Sequence, residues 1–586
     1  MILGAVGLNA ARRLITKLAR VPTDKSQMLR WLAWICGCAA LLLACTAPHS
    51  AGPAELGPTT LVLIHTADLH SHLFPERQVI ERVDAARGLG QSGELSEVGG
   101  LARVASAIGA IRAGARHSLY LDSGDLVEGT AAFNEFGGEP ELRALSALGL
   151  NAAALGNHDL SAGAEAFANL HREFADFPVL ACNFADNGSE LSSALRPSVV
   201  LDAQGVRVGV IGVANPSSPS GLTRADNPYG IDLLPTASAV QSEIDRLRPQ
   251  VDVLVALSHL GLDGDQRLIA STSGLDVVLG GHQHLALDAT LERTDCAAAL
   301  QAERGCAPRT VVLVHSGALG RYVGELDLEL VPDTDGAGNG PNSLVVAAAN
   351  HSLIPVSAEL TEEPALAALL DPYRERLAAA GYDAPLAFAS APIERYASDG
   401  TDSALGDLVA DAIRTRSGAD LALLNSTGIR ADLPPGELSR AAFVAALPFD
   451  DALTLLTFSG AQLRALFNQQ ARVASDRDCQ TPIQISGFSL AFKCSGAGSS
   501  AVARTLSSGR ELVATEAYTL VTSVYLADGG SGFELLTEAS ARQALELDPL
   551  GVVLDSVAAL PSCAGSTLPC LEPSQLRDQR ITFQFH

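Results

Sequence analysis

Short apolar runs alternate with helix-like stretches between residue 60 and about residue 330. Six runs are predicted strands, at 60–67, 117–125, 206–214, 251–259, 275–282 and 309–317. This alternation predicts an α/β layered domain. Polar and acidic residues collect where each run ends, and ligands of open α/β sheets bind at the carboxyl ends of strands. We therefore expect these polar residues to converge in space, although they lie far apart in the sequence.

The pattern changes after residue 330. Residues 331–343 are rich in Gly, Pro, Asp and Asn, which predicts a loop or the start of a linker. Residues 362–381 predict a connecting helix interrupted by Pro372. A second region begins near residue 385 with a helix-like stretch at 403–418 and is then rich in strands. The predicted boundaries are 1–45 for a signal segment, 46–59 for a tether, 60–342 for a first, larger α/β domain, 343–384 for a linker with its helix, and 385–586 for a second, smaller α/β domain.

The amino-terminal segment predicts export and a lipid anchor. Residues 28–45 hold one arginine and an apolar run that ends in Leu-Leu-Ala-Cys, which resembles a bacterial lipobox. Cleavage before Cys45 would leave a lipidated cysteine that binds the membrane. A single-pass anchor is the alternative, but the apolar run is short for a span. Met1 and Met28 are both candidate starts. We expect a lipoprotein of the bacterial cell envelope that faces the periplasm or the exterior.

Length and charge narrow the classes of function. A chain of 586 residues is too long for one hydrophobic core, so two or three domains are expected. The formal net charge of −26 argues against a nucleic-acid backbone as partner. It does not exclude a small anionic substrate, because a local site can be cationic in an acidic protein.

Cysteine spacing fits an oxidising compartment. Six of the ten cysteines fall into close pairs, whose short loops fit disulfides: Cys296/Cys306, Cys479/Cys494 and Cys563/Cys570. No pair has the CxxC spacing of a structural zinc site. Cys182 has no such neighbour, and we interpret it as a buried free thiol.

Carboxylate, imidazole and amide side chains end the predicted strands of the first region. In chain order they are Asp68, His70, Asp125, Asn157, His158, His259, His282 and His284. These groups suit borderline divalent ions such as Zn, Mn or Fe. They suffice for two ions if one carboxylate bridges them. Two ions roughly 3.5–4 Å apart would clamp a phosphoryl transfer and generate hydroxide near neutral pH.

The ordered motifs resemble those of the calcineurin-like metallophosphoesterases. They are DxH at 68–70, GD at 124–125, GNH at 156–158, His259, and GHxH at 281–284. The resemblance implies a four-layer β-sandwich flanked by helices. It implies one ion on Asp68, His70, Asp125 and His284, and another on Asp125, Asn157, His259 and His282, with Asp125 as the bridge. It also implies that His158 is a non-ligand that donates a hydrogen bond or a proton to the phosphoryl group or the leaving group.

The second region resembles the C-terminal domain of the 5'-nucleotidase family. The resemblance is carried by LNSTGIRADL at 424–433, AALPFDD at 445–451 and VYLADGGSGFELL at 524–536. It implies that Asn425 and Arg430, in a stretch that includes Gly428, bind the substrate phosphate. It also implies that Phe449 and Tyr525 sandwich a nucleobase.

Three positions depart from that family pattern. Ser531 stands where the family carries an aspartate for the nucleoside end of the substrate. Ser161 stands where the family carries the aspartate that orients the catalytic histidine; a serine there would suit an N-cap of the following helix. The third departure is a missing arginine beside Asp402 and Ser403, since Arg395 lies seven residues before Asp402.

These features predict a metal-dependent phosphoester hydrolase. We expect a 5'-nucleotidase that releases phosphate from nucleotides through hydroxide activated by two divalent ions. One alternative is a phosphoesterase for a non-nucleoside ester, which the serine at 531 motivates. Another is a lipoprotein that binds nucleotides or metals with little turnover, which the serine at 161 motivates.

Overall fold

The computed structural model describes residues 58–215, 231–333, 344–449, 451–494 and 499–585. The predicted signal segment, Cys45 and most of the predicted tether lie outside these residues. Within the described ranges, no helix is both long and apolar enough to span a membrane.

Two β-sheets face each other in the first half of the chain. The strands are β1 (Thr59–Thr66), β2 (Glu76–Val79), β3 (Leu95–Val98), β4 (His117–Asp122), β5 (Ala152–Ala154), β6 (Val179–Leu180), β7 (Leu195–Arg196), β8 (Ser198–Ala203), β9 (Val206–Val213), β10 (Val253–Ser258), β11 (Val277–Gly280), β12 (Leu291–Thr294), β13 (Thr310–His315), β14 (Tyr322–Pro332) and β15 (Leu344–Pro355). The seven-stranded sheet has the order β15-β14-β1-β4-β5-β6-β7, and the six-stranded sheet has the order β12-β13-β11-β10-β9-β8. Strands β2 and β3 form a separate antiparallel pair.

Helices cover the outer faces of both sheets. They are α1 (Arg82–Ala86), α2 (Leu101–Gly114), α3 (Ala131–Phe136), α4 (Glu139–Ala147), α5 (Ala164–Phe174), α6 (Glu190–Ala194), α7 (Thr236–Leu247), α8 (Leu262–Ala270), α9 (Ala298–Arg304) and α10 (Pro364–Ala379), with 3₁₀ turns at His158–Leu160 and Arg248–Gln250. Along β1, Val62 and Ile64 pack with the helices, while Leu61 and Leu63 are also fully buried. Strands of the two sheets contact each other directly. Burial on both faces explains the unbroken apolar runs and confirms the predicted four-layer sandwich.

The sheet topology brings the polar strand ends together. Strands β1, β4 and β5 run parallel to one another, as do β9, β10, β11 and β13. Their carboxyl ends therefore reach the same edge of the sandwich, as the alternation of elements predicts.

Residues 343–384, predicted as a linker, contain regular structure that belongs to the first half. Residues 344–355 form β15, which pairs antiparallel with β14 at the edge of the seven-stranded sheet. The predicted helix is present as α10, but Pro372 lies inside it and does not interrupt it. Leu366, Leu370 and Leu377 bury one face of this helix in the core of the first domain. That burial keeps the helix continuous through the proline.

The second half of the chain forms a smaller α/β unit. Its strands are β16 (Pro385–Ala389), β17 (Leu421–Asn425), β18 (Gly436–Ser439), β19 (Leu453–Ser459), β20 (Ile483–Ser486), β21 (Phe488–Cys494), β22 (Ser500–Leu506), β23 (Ala517–Ser523), β24 (Ala541–Ala544), β25 (Cys570–Leu571) and β26 (Ile581–Phe585). Its helices are α11 (Ala404–Ser417), α12 (Arg440–Ala446), α13 (Gly460–Ser475), α14 (Val524–Ala527), α15 (Pro549–Ala558) and α16 (Pro573–Leu576), with 3₁₀ turns at Ser426–Gly428, Gly530–Gly532 and Glu534–Glu538. The central sheet has the order β20-β17-β23-β19-β24. The helix predicted at 403–418 is α11.

Three disulfides close short loops on the chain. They join Cys296 to Cys306, Cys479 to Cys494 and Cys563 to Cys570, which confirms the pairing expected from their spacing. Cys182 is buried and unpaired, also as expected.

Candidate metal centre and substrate site

One group of candidate ligands combines Asp68, His70 and His284. Nε2 of His70 lies 3.1 Å from Nε2 of His284, which in turn lies 3.9 Å from Oδ1 of Asp68. Nδ1 of His70 lies 2.8 Å from the carbonyl oxygen of Glu128. Because a carbonyl oxygen can only accept, this nitrogen carries the proton and Nε2 keeps a lone pair for a metal ion.

A second group combines Asp125, His259 and His282. Nε2 of His259 lies 2.9 Å from Oδ2 of Asp125. Nδ1 of His259 donates to the carbonyl oxygen of Ser123 at 2.7 Å, which again leaves Nε2 directed into the site. One ligand atom from each of the three residues in this group lies within 4.8 Å of the others.

Asp125 connects the two groups. The same Oδ2 that meets His259 also lies 3.6 Å from Nε2 of His70. Asn157 is buried. It lies near the Asp125 carboxylate, since the backbone N–H of the next residue, His158, donates to Oδ1 of Asp125 at 2.7 Å. We call the complete set the Asp–His centre: Asp68, His70, Asp125, Asn157, His259, His282 and His284.

The backbone around the Asp–His centre is strained in a consistent way. Five of its residues have φ in the left-handed region, between 48° and 79°: Asp68, His70, Asp125, His282 and His284. Side chains with a Cβ rarely adopt this region, so the surrounding structure must hold it. Position 156 requires glycine for a different, steric reason, since a Cβ there would lie 2.1 Å from the backbone nitrogen of Asp125. Only glycine lets these two loops approach so closely.

Charges inside the Asp–His centre shift its pKa values in opposite directions. Burial alone would raise the pKa of Asp125, but the charges of His259 and His158 outweigh it and hold that pKa well below its ordinary value. Burial raises the pKa of Asp68 to about 8. Burial also lowers the pKa values of His70 and His284, so both imidazoles are neutral, as metal ligation requires.

The donor set fits divalent metal ions. It offers imidazole nitrogens, buried carboxylates and an amide, the combination that binds borderline divalent ions. Backbone carbonyls orient two of the imidazoles from behind. Asp68 is itself oriented, because its carboxylate accepts the backbone N–H of His282 at 2.9 and 3.0 Å.

Asp159 supports the centre from behind, a role that the sequence motif did not reveal. Its buried carboxylate accepts the backbone N–H groups of Gly156 and Leu126, both at 2.8 Å, and lies 3.3 Å from those of Asp125 and Val127. It therefore joins the loop after β4 to the loop after β5. Asp159 directly follows the GNH motif, but only the fold shows that it turns inward.

His158 lies at the rim of the Asp–His centre, with partners on two sides. Its Nδ1 makes a short hydrogen bond to Oε2 of Glu128. Its ring stacks on Phe449 of the second domain, with centroids 5.5 Å apart and planes 18° from parallel. Burial alone would lower the pKa of His158, but Asp125 and Glu128 raise it above its ordinary value. Glu128 is thus a candidate functional residue that sequence reasoning missed.

Ser161 does not cap a helix, contrary to the expectation. It ends the 3₁₀ turn at His158–Leu160, where its backbone N–H donates to the carbonyl oxygen of His158 at 3.0 Å. Helix α5 starts only at Ala164, with Gly163 as its N-cap. The 3₁₀ turn takes up the residues that a longer helix would need.

Arg430 extends from the second domain into the Asp–His centre. Its Nη2 lies 3.0 Å from Nε2 of His284 and 3.2 Å from Nε2 of His70. Its guanidinium carbon also lies 5.8 Å from the ring centroid of Phe449. The structure therefore places Arg430 directly against two predicted metal ligands, and Phe449 beside Arg430 and His158.

The other predicted substrate residues lie near the same edge of the second domain. Asn425 ends β17, and its Nδ2 lies 3.5 Å from Oγ of Ser531 and 2.9 Å from Oγ1 of Thr427. The hydroxyl of Tyr525 lies 3.0 Å from the same Oγ of Ser531. Position 428 favours glycine on steric grounds, because a Cβ there would lie 2.7 Å from Oδ1 of Asn425. Ser531 thus links the two predicted contacts on this side.

Arg395 lies beside Arg430 despite its distance along the chain. Its guanidinium donates to the backbone carbonyl oxygen of Arg430 in a short hydrogen bond, and its backbone N–H donates to Asp432 at 2.7 Å. Its positive charge lowers the pKa of Arg430, after the larger effect of burial. The second domain therefore holds a second cation close to the one predicted from the motif.

Two parts of the chain match known protein families. Residues 61–286 match the calcineurin-like phosphoesterase family, and residues 384–538 match the 5'-nucleotidase C-terminal domain. A 5'-nucleotidase of Diplobatis ommata is 27% identical over 537 residues, covering 86% of this chain and 87% of that protein. A 5'-nucleotidase of Homo sapiens is 26% identical over 525 residues, covering 83% and 86%. The crystal structure of a 5'-nucleotidase precursor from Thermus thermophilus is 26% identical, with a TM-score of 0.74, and the match covers 89% of this chain and 99% of that chain.

The sandwich fold and the Asp–His centre at its edge define a metal-dependent phosphoesterase. Together with the match of the second domain and the similar proteins, this indicates a phosphoester hydrolase of the 5'-nucleotidase type.

Proposed function

We propose that the chain is a 5'-nucleotidase that binds two divalent ions and releases phosphate from nucleotides. The carrying observation is the position of Asp125, whose Oδ2 lies 2.9 Å from Nε2 of His259 and 3.6 Å from Nε2 of His70. A single carboxylate oxygen thus stands between the two ligand groups, as a bridging ligand must. In this proposal Asp68, His70, Asp125 and His284 hold one ion, and Asp125, Asn157, His259 and His282 hold the other.

Two divalent ions held by these residues would lower the pKa of a bound water molecule and stabilise charge on the phosphoryl oxygens. The residues around them bind and orient the substrate. Arg430 offers a planar fork of N–H groups to the phosphate, directly beside the ligand imidazoles. His158, held at the rim with its Nε2 away from Glu128, donates a proton or hydrogen bond to the leaving oxygen.

A nucleoside is the best-supported leaving group. Phe449 stacks on His158 and lies near Arg430. Its aromatic ring therefore borders the proposed phosphate site, where the rest of the substrate would extend from the phosphate. Such a face accepts any nucleobase, which predicts selection for nucleosides rather than for one base. Several relatives that match most of the chain, among them those of Diplobatis ommata and Homo sapiens, are named as 5'-nucleotidases. A non-nucleoside phosphoester remains the competing substrate class, because Ser531 offers no carboxylate to the nucleoside.

The bridging role of Asp125 gives the decisive experiment. Metal content and phosphate release from AMP are measured on the wild type, on Asp125→Asn and on Asp263→Asn, a control at an exposed aspartate of α8. We expect two equivalents of divalent metal and turnover in the wild type and the control. Asp125→Asn should lose at least one equivalent and nearly all turnover. Full metal content and full activity in that variant would reject the proposal.

We also propose that the enzyme is anchored to a bacterial envelope membrane through lipid on Cys45. The lipobox-like sequence at 42–45 and the three disulfides on the chain support export to an oxidising compartment. The test is expression of the full chain in a bacterium fed radiolabelled palmitate. Wild-type protein should carry the label and partition into detergent, and Cys45→Ser should do neither. An unlabelled wild type would reject the anchor without affecting the proposed chemistry.

A further inference from the structure

Glu128 contacts two histidines of the site with two different groups. Its carbonyl oxygen accepts from Nδ1 of His70 at 2.8 Å, and Oε2 of its carboxylate forms a short hydrogen bond with Nδ1 of His158. Its φ of 65° lies in the left-handed region, which a residue with a Cβ rarely adopts. This conformation turns the carbonyl toward one ring and the side chain toward the other. A strained residue that orients two site histidines has a functional explanation.

The contact with His158 fixes which ring nitrogen carries a proton. A carboxylate oxygen accepts, so the hydrogen bond places one proton on Nδ1 of His158, and the proton donated to the leaving oxygen is a second one, carried by Nε2 of the imidazolium. The side chains of both residues are largely buried, at 14% and 12% exposure, which strengthens the bond and excludes competing water. The backbone N–H of His158 donates to Asp125, so ring and backbone are both held.

No carboxylate occupies position 161, where the resemblance leads one to look for the partner of this histidine. Ser161 has only a hydroxyl, and its described contact with His158 runs from backbone to backbone. We propose that Glu128 is the positioning residue of His158, holding the ring so that Nε2 faces the leaving oxygen. This inference rests on the proposed role of His158 as a proton donor.

The test compares two leaving groups. A nucleoside 5'-oxygen must gain a proton as it leaves, whereas 4-nitrophenolate leaves without one. Glu128→Met removes the acceptor at similar side-chain length. We expect kcat for AMP to fall about 100-fold, while kcat for 4-nitrophenyl phosphate falls less than about 3-fold. Metal content should stay at the wild-type value. The control, Glu135→Met at an exposed glutamate of α3, should change neither rate.

Two further measurements protect the test against misfolding. Glu128→Gln keeps an oxygen acceptor and should show a smaller loss with the same dependence on the leaving group. The short hydrogen bond should also give a far-downfield imidazole N–H proton resonance in the wild type, absent from Glu128→Met and from His158→Ala.

Several results would overturn the proposal. One is unchanged AMP turnover in Glu128→Met, another is an equal loss of kcat on both substrates, and a third is a loss of bound metal. Each of these would mean that Glu128 has no effect specific to His158. The proposed function fails separately. If His158→Ala shows no dependence on the leaving group, the proton-donor role itself is rejected. If only Glu128→Met lacks this dependence, the positioning role alone is rejected.

Discussion

Nη2 of Arg430 lies 3.0 Å from Nε2 of His284, although the two residues belong to different domains. This contact brings a cation from the second domain to a nitrogen proposed to hold a metal ion. In the proposed function, a phosphate bound at this contact would be held by both domains at once. It also sets up a competition, because the imidazole lone pair that accepts from Arg430 is the one a metal ion would use.

Arg430→Ala should weaken substrate binding without removing the metal. A hydrogen bond between charged groups contributes about 1.5–3 kcal/mol, so we expect kcat/KM for AMP to fall about 10- to 100-fold. Arg430→Lys should recover only part of this loss, since an ammonium cannot form the planar fork. Steady-state kinetics with Arg416→Ala, an exposed arginine of α11, as control check this. An unaltered kcat/KM in Arg430→Ala would contradict the assignment.

Arg430→Met should bind divalent metal more tightly than the wild type in the absence of phosphate. The guanidinium competes for Nε2 of His70 and His284 and repels an ion placed there. Removing its charge should raise the affinity for Mn²⁺ about 10-fold. Calorimetric titration of the metal-free protein measures this, with Arg416→Met as control. A weaker or equal affinity would show that the Arg430 guanidinium does not compete with the metal ion for these two nitrogen atoms.

Phe449→Ala should lower activity on nucleotides selectively. Stacking of a base on an aromatic side chain contributes about 1–3 kcal/mol, so kcat/KM for AMP should fall about 10-fold or more. Ribose 5-phosphate has no base, and its turnover should change little. Kinetics on both substrates decide the matter. Equal losses of kcat/KM on both substrates would mean that Phe449 acts through His158, on which it stacks. Efficient hydrolysis of ribose 5-phosphate by the wild type would instead favour a non-nucleoside substrate.

The local motifs made much of the fold and the centre predictable. Asp68, Asp125 and His259 each follow an apolar run, and parallel strands in layered sheets end at one edge, so their convergence follows from pattern alone. The contact between Glu128 and His158 did not follow. It depends on a left-handed backbone conformation at Glu128, which the conformational preferences of glutamate do not predict.

Two local rules failed for reasons of packing. The residues of β15 follow a loop-like stretch, and only pairing with β14 makes them the edge of a sheet. Pro372 predicts a break, yet the apolar face formed by Leu366, Leu370 and Leu377 keeps α10 continuous. In both cases tertiary contacts outweigh the local preference.

Asp159→Asn should weaken metal binding and lower stability together. The carboxylate accepts backbone N–H groups from two loops, and an asparagine would turn an NH₂ group toward some of these donors. A buried donor without a partner destabilises by about 1–3 kcal/mol. Displaced ligands should weaken metal affinity about 10- to 100-fold. Thermal unfolding and metal titration test both effects, with Asp263→Asn as control. A change in stability alone would show that Asp159 does not position the ligands.

Stability should depend on pH through Asp407 in the second domain. Its carboxyl is fully buried near Asp402; burial and that second carboxyl raise its pKa from 3.8 to about 8, although Arg580 lies 3.5 Å away. Between those two values the folded state binds more protons than the unfolded state, so stability must fall as pH rises from about 4 to about 8. In Asp407→Asn this contribution is absent.

The measurement is the melting temperature of wild type and Asp407→Asn between pH 5 and pH 8. The melting temperature of the variant relative to the wild type should rise with pH, by about 3 °C over the range. Metal-free protein is used throughout, so that ligand titration in the first domain affects both proteins equally. The slope, rather than either absolute value, carries the conclusion, because the substitution also changes packing. Parallel curves would mean that Asp407 is already ionised at pH 5, with Arg580 outweighing both burial and Asp402.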